Sequence, residues 1–178
     1  LSNEENDMLI GNKGSATRWT IAIFTVLAIL GIAYASKADA AELELDYGRT
    51  IIRGPTDIGQ IIVIWPNQIG KIDLWAKAVL IGDYNYGGQH YRNQIGAFAG
   101  FTANVGHAGI SFGVGTLQNK TTDGLNSGDL NFNCGLQYRF GKHRRLVGRQ
   151  EHISNAGSHD PNTGRDAPLA GWRFGVKS

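Results

Sequence analysis

The residues best suited to chemistry lie in one short stretch, Glu151-His152-Ile153-Ser154-Asn155-Ala156-Gly157, followed by Pro161-Asn162-Thr163-Gly164-Arg165-Asp166. In an extended strand, residues i and i+2 project from the same face, so His152 and Ser154 stand side by side. A serine hydroxyl becomes a useful nucleophile only beside a base, and an imidazole acting as that base needs a third group to fix its tautomer. Asp166, across the intervening loop, could supply that group. Glu151 is poorly placed to do so, because it points to the opposite face from His152. Backbone N–H groups just after the serine, at Asn155 and Ala156, are natural donors for an oxyanion hole. Spacing alone is weak evidence, since His-x-Ser arises by chance and a surface histidine is usually just solvated. These residues therefore allow serine-hydrolase chemistry and also allow an inert, solvated surface.

The elements that must hold them are strands. From Ala41 onward the hydrophobic pattern repeats every two residues, most clearly where Leu130, Phe132, Cys134, Leu136, Tyr138 and Phe140 alternate with Asn131, Asn133, Gly135, Gln137 and Arg139. Eight candidate strands follow, at about 41–50, 58–65, 71–82, 91–102, 107–116, 128–140, 145–154 and 167–177. Eight is the smallest even count for an outer-membrane barrel, and segments of roughly 9–11 residues with an apolar outer band suit a bilayer. In a soluble sandwich the same apolar faces would point inward. The expected fold is all-β, an eight-stranded antiparallel outer-membrane β-barrel with a polar interior. Glu42, Glu44, Asp46 and Asp73 from early strands would meet Arg139, Arg149 and Arg173 from late ones there, as structural ion pairs. In the seventh strand Arg149 and Glu151 suit the interior, which turns Leu146, Gly148, Gln150, His152 and Ser154 outward. With both termini periplasmic, 51–57, 83–90, 117–127 and 155–166 become outer loops, and 66–70, 103–106 and 141–144 become inner turns. The His152–Ser154 pair then faces lipid at the outer-leaflet end of the wall.

The N-terminus and the composition agree with export. Trp19 to Tyr34 is a run of 16 uncharged residues after Lys13 and Arg18, and it leads to the small-residue site Ala38-Asp39-Ala40. That order reads as a secretory signal peptide cleaved before Ala41, and the run falls short of the ~20 residues a spanning helix needs. Met8 is the only methionine, so residues 1–7 are expected to be upstream read-through, residues 1–40 the leader and residues 41–178 the barrel domain. A single Cys, Cys134, excludes a disulfide framework and any CxxC zinc site. Seventeen Lys+Arg against 15 Asp+Glu do not make the dense basic stripe of a nucleic-acid binder. The 25 Gly are about twice the usual share of ~7%.

His152-Ile153-Ser154-Asn155-Ala156-Gly157 with Pro161-Asn162-Thr163-Gly164 resembles the signature of the lipid A 3-O-deacylases, the PagL family. That resemblance implies an eight-stranded outer-membrane barrel that hydrolyses the ester-linked acyl chain at position 3 of lipid A. It implies Ser154 as nucleophile, His152 as general base, Asp166 as its acidic partner and Asn155 and Ala156 as the oxyanion site. The family's acid is usually Glu, and Asp166 is one methylene shorter. No cofactor or metal is expected. The expected partners are lipid A or lipopolysaccharide and outer-membrane lipids, with no nucleic acid; homodimerisation is left open. The alternatives are a non-enzymatic barrel with a structural or adhesion role, and an acyltransferase using the same nucleophile.

Weaker signals carry blander expectations. Lys142, His143, Arg144 and Arg145 read as an anchor to inner-leaflet headgroups, and Tyr84, Tyr86 and Tyr91 as an interfacial aromatic girdle. His90 and His107 read as solvated loop residues, with His159 in the loop beside the proposed site. Cys134 falls on the apolar face as a small hydrophobe.

Overall fold

The computed structural model describes residues 41–51, 55–86, 88–118, 130–141, 143, 145–154 and 164–175. The expected leader at 1–40, the oxyanion residues Asn155 and Ala156, and His159, Lys142 and Arg144 lie outside them. Among the described residues ten strands form: β1 (Glu42–Arg49), β2 (Asp57–Ile69), β3 (Ile72–Ile81), β4 (Tyr84–Tyr86), β5 (Gln89–Tyr91), β6 (Gln94–Val105), β7 (Ala108–Gln118), β8 (Leu130–Phe140), β9 (Leu146–Ser154) and β10 (Arg165–Gly175). Eight of them close an antiparallel barrel in the order β1-β10-β9-β8-β7-β6-β3-β2, with β1 paired to both β2 and β10. Closure leaves no barrel strand with an open edge, the arrangement a chain needs when its outer wall meets hydrocarbon.

The eight barrel strands fall on the segments that alternation marks, with β2 running on to Ile69. That extension contains a register shift between Trp65 and Ile69 around Pro66, which has no N–H to give the ladder. The Asp73 carboxylate accepts the Asn67 N–H there at 3.0 Å. Two-residue turns join β2 to β3 and β6 to β7, and Gly70 and Gly106 each take a φ of 62° in them, as such hairpins require. The opposite end carries the longer connections. At that end the 83–90 segment, expected as plain loop, forms the β4–β5 hairpin.

Side chains alternate as expected on the outside. Leu45, Phe101, Phe112, Leu136, Tyr138 and Trp172 are among the exposed large hydrophobics of the wall. The interior corrects the expectation of a polar lumen. Toward the turn end it is polar, but toward the loop end Ile58, Val79, Ile81, Leu117, Ile153 and Leu169 form a buried apolar cluster with Trp75 and Phe98. Tyr84 is also corrected: it is buried rather than part of a girdle, and Arg165 stacks on its ring with the guanidinium carbon 4.1 Å from the centroid. The glycine excess has a packing role at this level. A Cβ on Gly113 would lie 2.3 Å from the Trp75 ring, and one on Gly115 would lie 2.6 Å from Phe98, so glycines on β7 make room for the two rings.

The interior charges pair closely. Glu44 accepts from Arg149 and, at 2.7 Å, from Arg173; Arg149 also donates to Asp46 at 3.1 Å, and Arg173 to Glu42 at 3.2 Å. Arg139 donates to Asn104 at 3.1 Å. Lys77 completes the network, donating to Glu151 at 2.6 Å and to Asn133 at 3.2 Å, with its ammonium 5.4 Å from the Trp75 ring centroid. A void of about 10 Å³ beside Trp75, Thr102, Gln137 and Arg149 has room for about one water.

Two stability outcomes follow from this packing. Lys77→Met strands Glu151 in the interior and should cost about 3–5 kcal/mol, which Lys77→Met/Glu151→Leu recovers in large part, read from urea unfolding of the refolded barrel. Gly113→Leu should cost about 1–3 kcal/mol by overpacking against Trp75 in the same assay, while leaving Asp166 and His152 untouched.

Candidate active site

The outward face of β9 and the first residues of β10 bring His152 and Asp166 into contact and set Ser154 on the same face. Burial along β9 alternates, with Val147, Arg149, Glu151 and Ile153 inside, so His152 and Ser154 share the outer face. The β9–β10 register sets Asp166 directly opposite His152. Their side chains meet: His152 Nδ1 lies 3.1 Å from Asp166 Oδ1. Direct cross-strand opposition explains why the short aspartate reaches the ring, because facing residues of an antiparallel pair hold their Cβ atoms only ~4.5–5.5 Å apart.

The contact also sets the tautomer. A carboxylate can only accept, so the proton sits on Nδ1, and Nε2 keeps its lone pair for a proton from elsewhere. The two side chains are part-exposed, His152 at 41% and Asp166 at 27%, so the pair is open to a substrate approaching the outer wall. Ser154 stands one step along the same face toward the loop end, opposite Phe132 of β8. Cys134, expected as a small apolar residue, is the β8 neighbour of His152 and is half-buried. Phe132, opposite Ser154, and Leu130, two residues along β8, are exposed on the outer face.

Several contacts hold β10 in place at this point. The Asp166 carbonyl accepts the Ile51 N–H at 2.9 Å, which fixes the strand from the side away from β9. Arg165, between Gly164 and Asp166, turns inward and rests on Tyr84. Gly164 lies against the imidazole, and a Cβ there would sit 2.4 Å from His152 Cε1 and 2.8 Å from Nε2. The sequence alone gives no role to Arg165 or Gly164, and it places Tyr84 at a lipid interface instead of beneath Arg165. A signal for the glycine was present: if Asp166 faces His152, the residue two before it must share that face, on the Ser154 side.

Other candidates lie apart from this site. His90 is exposed on the β4–β5 hairpin, within 3.0 Å of Asn85. His107 is part-buried at the turn end, where its Nδ1 donates to the Arg139 carbonyl at 2.7 Å and its ring stacks on Tyr138. Among the described residues no group of three or more His, Cys, Asp or Glu could hold a metal ion.

The sequence profile of the lipid A 3-O-deacylase (PagL) family matches residues 72–173. No curated protein matches the chain. Among solved structures, Ail, the attachment invasion locus protein of Yersinia pestis crystallised with the heparin analogue sucrose octasulfate, is similar over 76% of this chain and 97% of its own, at 12% identity and a TM-score of 0.40. The profile match spans more than half of the sequence, from the first residue of β3 through His152, Ser154 and Asp166 into β10, and the chain belongs to the lipid A 3-O-deacylase (PagL) family.

Proposed function

We propose that the chain is an outer-membrane serine esterase that removes the ester-linked 3-O acyl chain from lipid A of lipopolysaccharide. The observation that carries this reading is the 3.1 Å imidazole–carboxylate contact on the outward face of the barrel, with a serine two residues along the same strand. Family membership supplies the substrate class. The apolar outer wall suits a bilayer, and an ester beneath a lipid headgroup lies at the depth of a strand end. In this reading residues 1–40 are a leader that is removed on export, and the loop end of the barrel faces outward.

The reaction uses the roles the geometry allows. His152 Nε2 takes the Ser154 proton as the serine oxygen attacks the acyl carbonyl, while Asp166 holds the imidazolium that forms. N–H groups at Asn155 and Ala156 receive the oxyanion. Collapse breaks the bond to the sugar oxygen, which leaves with the proton from His152. Water then enters with the same base, breaks the acyl-serine ester and releases a fatty acid. Each cycle consumes one water and one ester.

Mass spectrometry of lipid A from a Gram-negative host expressing the chain tests the reading. The native sequence should remove one 3-O acyl chain, and Ser154→Ala and His152→Ala, confirmed as inserted, should leave lipid A intact. Unchanged lipid A with the native protein, in cells and in detergent, would leave a structural barrel; transfer of the chain to an acceptor other than water would mark an acyltransferase. Asp166→Asn should lower turnover by about 10³–10⁴-fold, because an amide no longer fixes the Nδ1–H tautomer, whereas Asp166→Glu should retain a large part of it; both are read from fatty acid released in detergent.

A further inference from the structure

We infer that Gly164 is a positioning residue for the proposed reaction: its missing side chain is what allows the His152 imidazole to hold its place between Asp166 and Ser154. The inference rests on the serine-esterase reading. A Cβ at position 164 would sit 2.4 Å from Cε1 and 2.8 Å from Nε2 of His152, and 3.5 Å from Nδ1, and the ring supplies all three nearest atoms. The closest conflict is therefore with the imidazole, and it is greatest at the edge that must take the serine proton. Contacts below 3.0 Å at a Cβ force something to move, and here the moving part would be the base.

The backbone gives no competing reason for glycine. Gly70, Gly88, Gly106 and Gly141 all take positive φ values that favour glycine, and Gly164 does not share that conformation. An alanine could adopt the same backbone, so the requirement is steric and belongs to the ring. Position also matters. Gly164 stands one residue beyond the last registered β9–β10 pair, Arg165–Ile153, and so lies on the Ser154 side of the Asp166–His152 contact. Arg165 on Tyr84 and Ile51 on the Asp166 carbonyl hold this strand end from inside and from the side, so β10 cannot easily draw away from an added methyl. The imidazole would swing instead, away from its place on Asp166.

The full-length chain decides the matter through four forms: native, Gly164→Ala, His152→Ala and the double variant. Turnover is measured on detergent-solubilised lipid A, and unfolding midpoints in urea after insertion is confirmed by heat-modifiable migration. Gly164→Ala should fold and lose about 100-fold or more in kcat with KM little changed, since displacing a catalytic group by about 1 Å has that effect. Its midpoint should fall relative to the native form, whereas adding Gly164→Ala to His152→Ala should leave the midpoint unchanged, because the ring that clashes is gone. Native turnover in Gly164→Ala, or an equal midpoint loss in both backgrounds, overturns the inference. Should Gly164→Ala fail to fold, folding of the double variant upholds it and failure of the double variant overturns it. A native chain inactive on lipid A would defeat the function reading, and the comparison of midpoints would still decide whether Gly164 places the imidazole.

Discussion

The constraint on which the rest depends is the seam where the last strand closes onto the first. Glu44 of β1 is gripped by Arg173 of β10 and Arg149 of β9, so one buried carboxylate fixes three adjacent strands from the inside. Register at this seam is also the register of the site. Side chains alternate with a period of two, so a slip of one residue between β9 and β10 would set Arg165, which faces inward, opposite His152 and leave the imidazole without its carboxylate. A hydrogen-bonded pair on the outer wall is thus aligned by charged pairs in the core, through a backbone only one residue thick.

Much of this was legible in the sequence, and the parts that were not have a common cause. The strands were readable because one face had to be apolar throughout, and β8 carries that alternation almost without exception. His152 and Asp166 were readable as partners because only a strand-to-strand return across 155–163 could bring them together. The interior was harder. In β3, Leu74 faces out and Trp75 faces in, and both are apolar, so alternation loses its contrast wherever the lumen is filled with hydrophobic groups. Tyr84 was misplaced for the same reason, since an aromatic residue at a strand end fits either a lipid interface or the cap of a core. The β4–β5 hairpin is too short for any period to register. Gly164 could be understood only once the pairing was known, because its meaning lies in what stands opposite.

The two faces of the barrel divide the work. Inside, among the described residues, ion pairs, two large rings and strand glycines occupy the space between the strands. Outside, the polar groups of the site are few and sit among apolar neighbours. That division suits the proposed function, in which a lipid ester meets the site at the wall.

Under the proposed function, a site on the flank of the barrel has a kinetic consequence. Substrate that shares a bilayer with such a site arrives by lateral diffusion, in two dimensions, so the quantity that sets its supply is the mole fraction of lipid in one leaflet rather than any bulk concentration. Encounter is then governed by how the barrel is tilted and which lipids crowd its β8–β9–β10 flank. Changes in membrane composition alone would retune the rate without touching a residue of the protein.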